Sequence, residues 1–392
     1  MTGGLWPTPE QTLLLRAALG TGDEAEAAFR QWQGVVDVES EFGWSSVRLL
    51  PLVYRSLQQA GSHDPLMGRL KGVYRRMWAE THQRFQRVVP TLRALRDAGV
   101  EVLLLKGAPL VLTVYRNHAL RPMSDVDLCV RSADVALAMS ILEREGWALV
   151  EPWGDGTDRR RYTHAAQYRH PEGGEIDLHW HVLAERLDDV ADAWFWASVE
   201  PLDFCGVGVW QLDPTRQLLH TIVHGVRWNP EPPIRWIADA TALLATHGAV
   251  IDWDALCTFA AASRVSHRTG LGLRYLRVQH GAPVPAAVFD RLGERHTWIE
   301  RLEETVWLRD FAPFLGVVGN QWTIVVDHVR ISAPQGIWRV LTDWPHYWRY
   351  RLGLGGRREL GPAIVRAIGR RLGGRRGAAQ TDALAVRAES AT

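Results

Sequence analysis

Apolar positions in the first hundred residues recur at helical spacing. Leu49, Leu50, Val53, Tyr54 and Leu57 fall on one helix face, and a second pattern runs from Leu70, Tyr74, Met77 and Trp78 to Val88 and Val89. Pro90 interrupts or kinks that pattern before Leu92 and Leu95, Pro9 stands near a helix start, and Gly61 with Asp64-Pro65 separates the two. From Val102 the period changes. An apolar run over 102–105 stops at Lys106-Gly107 and passes into a helix-like segment over 108–115, which predicts strand, tight turn and helix. A polar loop with Arg116, Arg121 and Ser124 follows. Then Asp125, Asp127 and Cys129 alternate with Val126, Leu128 and Val130, the period of a strand. A helix over 133–145 ends at Gly146, a strand is expected over 147–150, and two more over 162–170 and 175–181 flank the turn at 171–174 as a hairpin. From Asp213 to about residue 312 the spacing is helical again, broken at 228–233.

This pattern predicts an α/β (α+β) chain with a helical N-terminal lobe over 1–100, a sheet-containing core over 101–212, a helical C-terminal lobe over 213–350 and a Gly- and Arg-rich tail over 351–392. At 392 residues the chain is long enough for a substantial core. In the tail, Ile364, Val365, Ile368 and Leu372 beside Arg366, Arg370 and Arg371 could form a basic amphipathic helix that touches an anionic membrane weakly, with solvated disorder as the default.

The 45 basic and 44 acidic residues nearly cancel, so no global field favours nucleic acid as the main partner. Lys71 and Lys106 are the only lysines, and one of them falls in the central motif. Cys129, Cys205 and Cys257 are too widely separated for a metal or disulfide framework. With no leader-like start and no run of about 18 apolar residues, the expectation is a soluble cytoplasmic protein.

The chemistry concentrates between Lys106 and His181. Residues two apart on a strand lie about 6.5 to 7 Å from each other on one face, so Asp125 and Asp127 can serve one site and hold hard cations. Burying two like charges without cations is costly. A glycine turn at a helix start can cradle phosphates, which points to Lys106 and Gly107. In the later strand Asp177, His179 and His181 alternate with Ile176, Leu178 and Trp180, so Asp177 can join the pair as a third carboxylate. His179 can orient a carboxylate or line the cleft, or it can join Asp177 and His181 in a metal-hydrolase arrangement. His220 and His224, four residues apart on a helix, and Asp239 beyond them are accessory candidates, either packing between helices or binding nucleotide or acceptor.

Lys106-Gly107, Arg121, Asp125-Val126-Asp127 and Ile176-Asp177-Leu178-His179-Trp180 together resemble the uncharacterised nucleotidyltransferase family of the polymerase-β-like superfamily. The resemblance covers roughly 102–180. It implies a small mixed sheet with helices on one side and transfer of a nucleotidyl group from an NTP, ATP foremost, with Mg²⁺ or Mn²⁺. The implied acceptor is a hydroxyl or phosphate of a small molecule, peptide or protein. Asp125 and Asp127 would hold the metals, Asp177 would bind metal or take the acceptor's proton, and Lys106, Gly107, Arg121 and Ser124 would meet the nucleotide. In place of the serine that often follows the glycine, this chain has Ala108. The rival reading is a catalytically inert nucleotide-binding or partner-binding accessory protein of the same fold.

Overall fold

The computed structural model describes residues 4–36, 43–151, 159–229, 231–293, 297–301, 325, 328–332 and 337–352. The loop at 152–158 and nearly all of the basic tail lie outside the described residues. Strands β1 (Leu103–Leu104), β2 (Asp125–Cys129), β3 (Ala148–Leu149), β4 (Ala165–Arg169), β5 (Glu175–His179), β6 (Val199–Phe204) and β7 (Val207–Leu212) form one sheet in the order β3-β4-β5-β2-β1-β7-β6. The sheet is mixed: β2 runs parallel to β5 and β1 parallel to β7, while the remaining neighbours are antiparallel.

Helices α1 (Pro9–Leu19), α2 (Gly22–Val35), α3 (Trp44–Val47), α4 (Leu50–Gln59) and α5 (Met67–Asp97) precede the sheet. Between its strands come α6 (Gly107–Leu110), α7 (Val135–Arg144) and α8 (Asp189–Trp196). After it come α9 (Pro214–Gly225), α10 (Arg235–His247), α11 (Trp253–Ala262), α12 (Ser266–His280), α13 (Ala286–Gly293) and α14 (Ile337–Leu352). Local chemistry sets several of these starts. Thr8 caps α1 in a reciprocal box with Gln11, and Asp213 accepts from the backbone amides of Thr215 and Arg216 at the start of α9. Pro90 does not end α5, which runs through it for 31 residues. Its buried residues Phe85, Val88, Val89, Leu92 and Leu95 hold the helix on the sheet.

The period-two pattern divides the sheet cleanly. Val126, Leu128 and Val130, with Ile176 and Leu178, join Leu104 and the buried face of α5 and α7 in one apolar cluster. Leu103, Leu105 and Cys129 point the other way and belong to a second cluster, which also gathers residues of α1, α2, α4 and α9 to α13. The helices before and after the sheet therefore share one core. On that second face stand Asp125, Asp127 and Asp177. A one-residue slip of β2 would exchange the carboxylates with Val126 and Leu128, so burial of the apolar face fixes the register on which the site depends.

The hairpin of β6 and β7 was not expected from the sequence. Its turn is Cys205-Gly206, both residues at positive φ (53° and 83°), which matches the backbone of the two-residue hairpin turns usually made by Asn-Gly.

Where α9 meets α10, Gly225 is required by close approach, because a Cβ there would overlap the Trp236 side chain. Gly225→Ala is expected to lower stability in urea denaturation by about 1–3 kcal/mol, the usual cost of overpacking. Unchanged stability would mean that α9 and α10 are free to separate.

Candidate active site

The site starts at the end of β1. Lys106 takes φ 51° and ψ −116°, a conformation in which a side chain is disfavoured, so the tight turn into α6 carries backbone strain of about 1–3 kcal/mol. The strained residue is also the charged one. Its Nζ lies 2.6 Å from Asp127 Oδ1, with 14% and 4% of the two side chains exposed. Burial works against the ammonium, but attraction from Asp127, then Asp177 and Asp125, outweighs it and holds Lys106 above its ordinary value.

Strand pairing supplies the rest. The parallel register of β2 and β5 sets Asp127 opposite Asp177 and Cys129 opposite His179. Ligand atoms of Asp127, Asp177 and His179 all lie within 4.8 Å of one another, while Asp125, two residues back on the same face, is outside this cluster. His179 Nε2 lies 3.0 Å from Asp127 Oδ1. Burial and then the Lys106 charge hold His179 well below its ordinary pKa. A neutral imidazole facing an acceptor-only carboxylate donates through Nε2–H, which leaves the buried Nδ1 without a partner among the described residues. Asp177 Oδ1 is likewise enclosed without a hydrogen-bond partner among the described residues. Burial first, then repulsion from Asp125 and Asp127, pushes the Asp177 carboxyl well above the ordinary carboxylate range.

Behind Lys106, on the side of α9 and α10, lies a cavity of about 220 Å³. Lys106, Arg48, Arg121, Arg227 and Arg235 line it together with His220, His224 and Asp239. Asp239 ties α10 to the central motif. Its Oδ2 accepts from Arg121 Nε at 3.0 Å, its Oδ1 accepts from the Tyr115 hydroxyl at 2.8 Å, and Arg235 Nε stands 3.4 Å from Oδ1. Arg235 also donates to the backbone carbonyls of Arg48 and Leu120. Burial, followed by attraction to Glu185 that opposes it and repulsion from Arg268, brings Arg227 down to about 10. Burial and then Arg121 do the same for Arg48. Burial lowers His220 to about 3, so it is neutral.

The sequence candidates thus separate into two adjoining groups joined by Lys106. Asp127, Asp177 and His179 meet directly, with Asp125 within electrostatic reach, whereas Arg121, His220, His224 and Asp239 border the cavity. His181 does not share a site with His179; its Nδ1 lies 2.5 Å from Asp192 Oδ2. Ser124 Oγ accepts from Arg48 at 3.1 Å. What approaches Gly107 is the guanidinium of Arg121, since a Cβ there would lie 2.8 Å from Arg121 Nη1 and 3.2 Å from Met123 Cε. Arg48, Arg227 and Arg235 were not singled out from the sequence. Arg48 lies far along the arginine-rich chain from the other two, and no local motif marks any of them.

A family model described as an uncharacterised nucleotidyltransferase matches residues 45–279, which takes in the carboxylate strands and every residue lining the cavity. No protein of curated function matches the chain by sequence. Among solved structures, the antibiotic-resistance factor ANT(2'')-Ia is 12% identical, with 51% of this chain and 97% of that one covered and a TM-score of 0.32. An antigenic nucleotidyltransferase-like protein from Paracoccidioides brasiliensis is 16% identical, with 54% and 98% covered and a TM-score of 0.34. The family match spans more than half of the chain, and the chain belongs to the uncharacterised nucleotidyltransferase family.

Proposed function

We propose that this protein is a metal-dependent nucleotidyltransferase that moves a nucleoside monophosphate from an NTP, ATP being the first donor to test, to a hydroxyl or phosphate of a small molecule, peptide or protein. The observation that carries this reading is Asp127 held opposite Asp177 by strand pairing, with Asp125 on the same face and the Lys106 ammonium 2.6 Å from Asp127. Two ionised oxygens no more than 4.8 Å apart repel by at least about 3 kcal/mol at an effective dielectric near 20. Lys106 can offset one carboxylate. The charge still missing suits a divalent cation, and the enclosed, unpartnered Asp177 Oδ1 is an atom that a hard cation or a proton would satisfy. Mg²⁺ or Mn²⁺ at this site would neutralise phosphate oxygens during an in-line displacement.

The residues of the chain divide the remaining work. Asp125 and Asp127 would hold the cation, with His179 orienting Asp127 through its 3.0 Å contact. Asp177, whose neighbours raise its proton affinity, would accept the proton of the attacking hydroxyl. Lys106 would exchange its carboxylate for a phosphate oxygen, and Arg121, fixed by Asp239, would add positive charge beside the turn. A second reading, an inert nucleotide-binding or partner-binding accessory protein, is favoured by Ala108 in place of a serine and by Arg121 covering Gly107.

A carboxyl held above its ordinary value takes up a proton on folding. The stability it contributes is present below its ordinary 3.8 and is lost as pH rises through the raised value. Metal-free Asp177→Asn is therefore expected to melt at higher temperature than wild type at pH 7, with the gap closing as pH falls through the raised value toward 3.8. A variant that melts lower across the whole range would show that Asp177 is a structural ion-pair member. The same substitution keeps shape while removing the base. Transfer of label from α-³²P-labelled NTP to acceptors in cell extract is expected to fall by about two orders of magnitude, with Mg·NTP binding retained. Full transfer by Asp177→Asn would remove its assigned role. A wild type that binds Mg·NTP yet labels nothing would favour the accessory reading.

A further inference from the structure

Among the described residues, two groups of side chains bring three metal-ligating atoms within 4.8 Å of one another, and they differ in what those atoms lack. In the group of His181, Asp189 and Asp192 every residue has a partner. His181 Nδ1 lies 2.5 Å from Asp192 Oδ2, Asp192 Oδ1 accepts from the Val182 amide at 2.9 Å, and Asp189 Oδ1 accepts from the Ser132 hydroxyl at 2.7 Å. That group holds together without a cation. In the group of Asp127, Asp177 and His179 two atoms are left over, because Asp177 Oδ1 and His179 Nδ1 are enclosed without a hydrogen-bond partner among the described residues.

The strand register places a nitrogen in that second group. Asp127 faces Asp177 directly, and His179, two residues farther along β5 on the same face, meets Asp127 on the diagonal with Nε2 3.0 Å from Oδ1. The same oxygen receives Lys106 Nζ at 2.6 Å, so two N–H donors now converge on an atom that a cation would bind. The imidazole is not locked in this role. Which ring nitrogen carries the proton is set by the bond the other one makes, and Nδ1 makes none among the described residues. Moving the proton from Nε2 to Nδ1 therefore forfeits only the contact with Asp127 and turns the Nε2 lone pair toward the carboxylates.

We infer that His179 is itself a ligand of the bound cation, beside Asp127 and Asp177, and that its nitrogen selects a divalent transition ion over Mg²⁺. This deepens the nucleotidyltransferase reading by naming the class of its cation, and rests on that reading for the cation's part in the reaction. Mg²⁺ is a hard ion that takes oxygen ligands and gives up its water reluctantly, so an imidazole adds little to its affinity. Divalent transition ions accept imidazole nitrogen alongside carboxylate oxygen. Asp125 lies outside the compact group, which leaves two carboxylates and one nitrogen, a mixed donor set that an oxygen-only ion would use incompletely. Without the ion His179 holds Asp127 in place; with it, the same nitrogen changes partner from carboxylate to metal.

Pulsed electron paramagnetic resonance of the full chain, with Mn²⁺ below stoichiometry and no nucleotide, is expected to show ¹⁴N modulation from a directly bound imidazole. The signal should persist in His181→Asn and vanish in folded His179→Asn, with circular dichroism reporting the fold. Calorimetry adds a reading that a merely orienting histidine would not give. In His179→Asn the affinity for Mn²⁺ should fall by at least about tenfold and that for Mg²⁺ by much less, whereas loss of orientation alone would weaken both ions equally. A wild type that binds no Mn²⁺ or binds it without ¹⁴N modulation, equal weakening of both ions, or modulation that survives in folded His179→Asn would overturn the inference. Should His179→Asn not fold, the other two proteins decide: modulation in both wild type and His181→Asn supports His179 as the ligand, and its loss in His181→Asn overturns it. Failure of Mn·α,β-methylene-ATP to bind a wild type that shows nitrogen-bound Mn²⁺ would count against the transferase reading and leave the cation site standing.

Discussion

The parallel pairing of β2 with β5 is the constraint on which the rest of the molecule turns, because it forces Asp127 and Asp177 to face each other across adjacent strands. Nothing in backbone pairing alone would favour two carboxylates there. The arrangement persists because the other face of the same strands, Val126, Leu128, Ile176 and Leu178, is fully buried beneath α5 and α7. Apolar burial at about 25 cal/mol per Å² outweighs the local repulsion, and since the side-chain period is two, the same burial that fixes the register delivers the acids to the opposite face. Lys106 completes the balance, held in a conformation unfavourable for its residue type so that its ammonium reaches Asp127. Strain and like-charge crowding at one place, compensated by packing elsewhere, are expected of a site selected for chemistry rather than for stability.

The helices on both sides of the sheet matter to this site through Asp239. One carboxylate on α10 receives Arg121 and Tyr115 from the central motif and Arg235 from its own helix, while Arg235 in turn holds backbone carbonyls near α4 and before β2. The shared apolar cluster beneath these bonds makes the contact rigid. The cavity wall is thereby assembled from stretches more than a hundred residues apart, and its positive charge is brought beside a negative centre with one lysine between them.

The parts of this organisation with a local period or a local motif were legible in the sequence. Alternation of Asp125, Asp127 and Cys129 with Val126, Leu128 and Val130 identified β2 and its two faces, and the same period identified β5 and Asp177. The β6–β7 hairpin was not legible because Pro201 interrupts one strand pattern and Cys205-Gly206 replaces the usual turn residues, although an edge strand tolerates proline. Arg48, Arg227 and Arg235 were hidden by composition: with 45 basic residues and only two lysines, a single arginine says little until its burial is known. Arg121 over Gly107 could not be anticipated either, since it depends on a tertiary ion pair with Asp239.

What the carboxylates hold can be observed directly. Anomalous diffraction from crystals grown with Mn²⁺ and a non-hydrolysable NTP analogue would test it. A manganese peak bonded to Asp127, within reach of Asp125 or Asp177, with Lys106 Nζ moved from Asp127 toward phosphate, is the predicted result. Nucleotide bound with Lys106 still on Asp127 and no metal there, or manganese found only at the His181, Asp189 and Asp192 cluster, would contradict it.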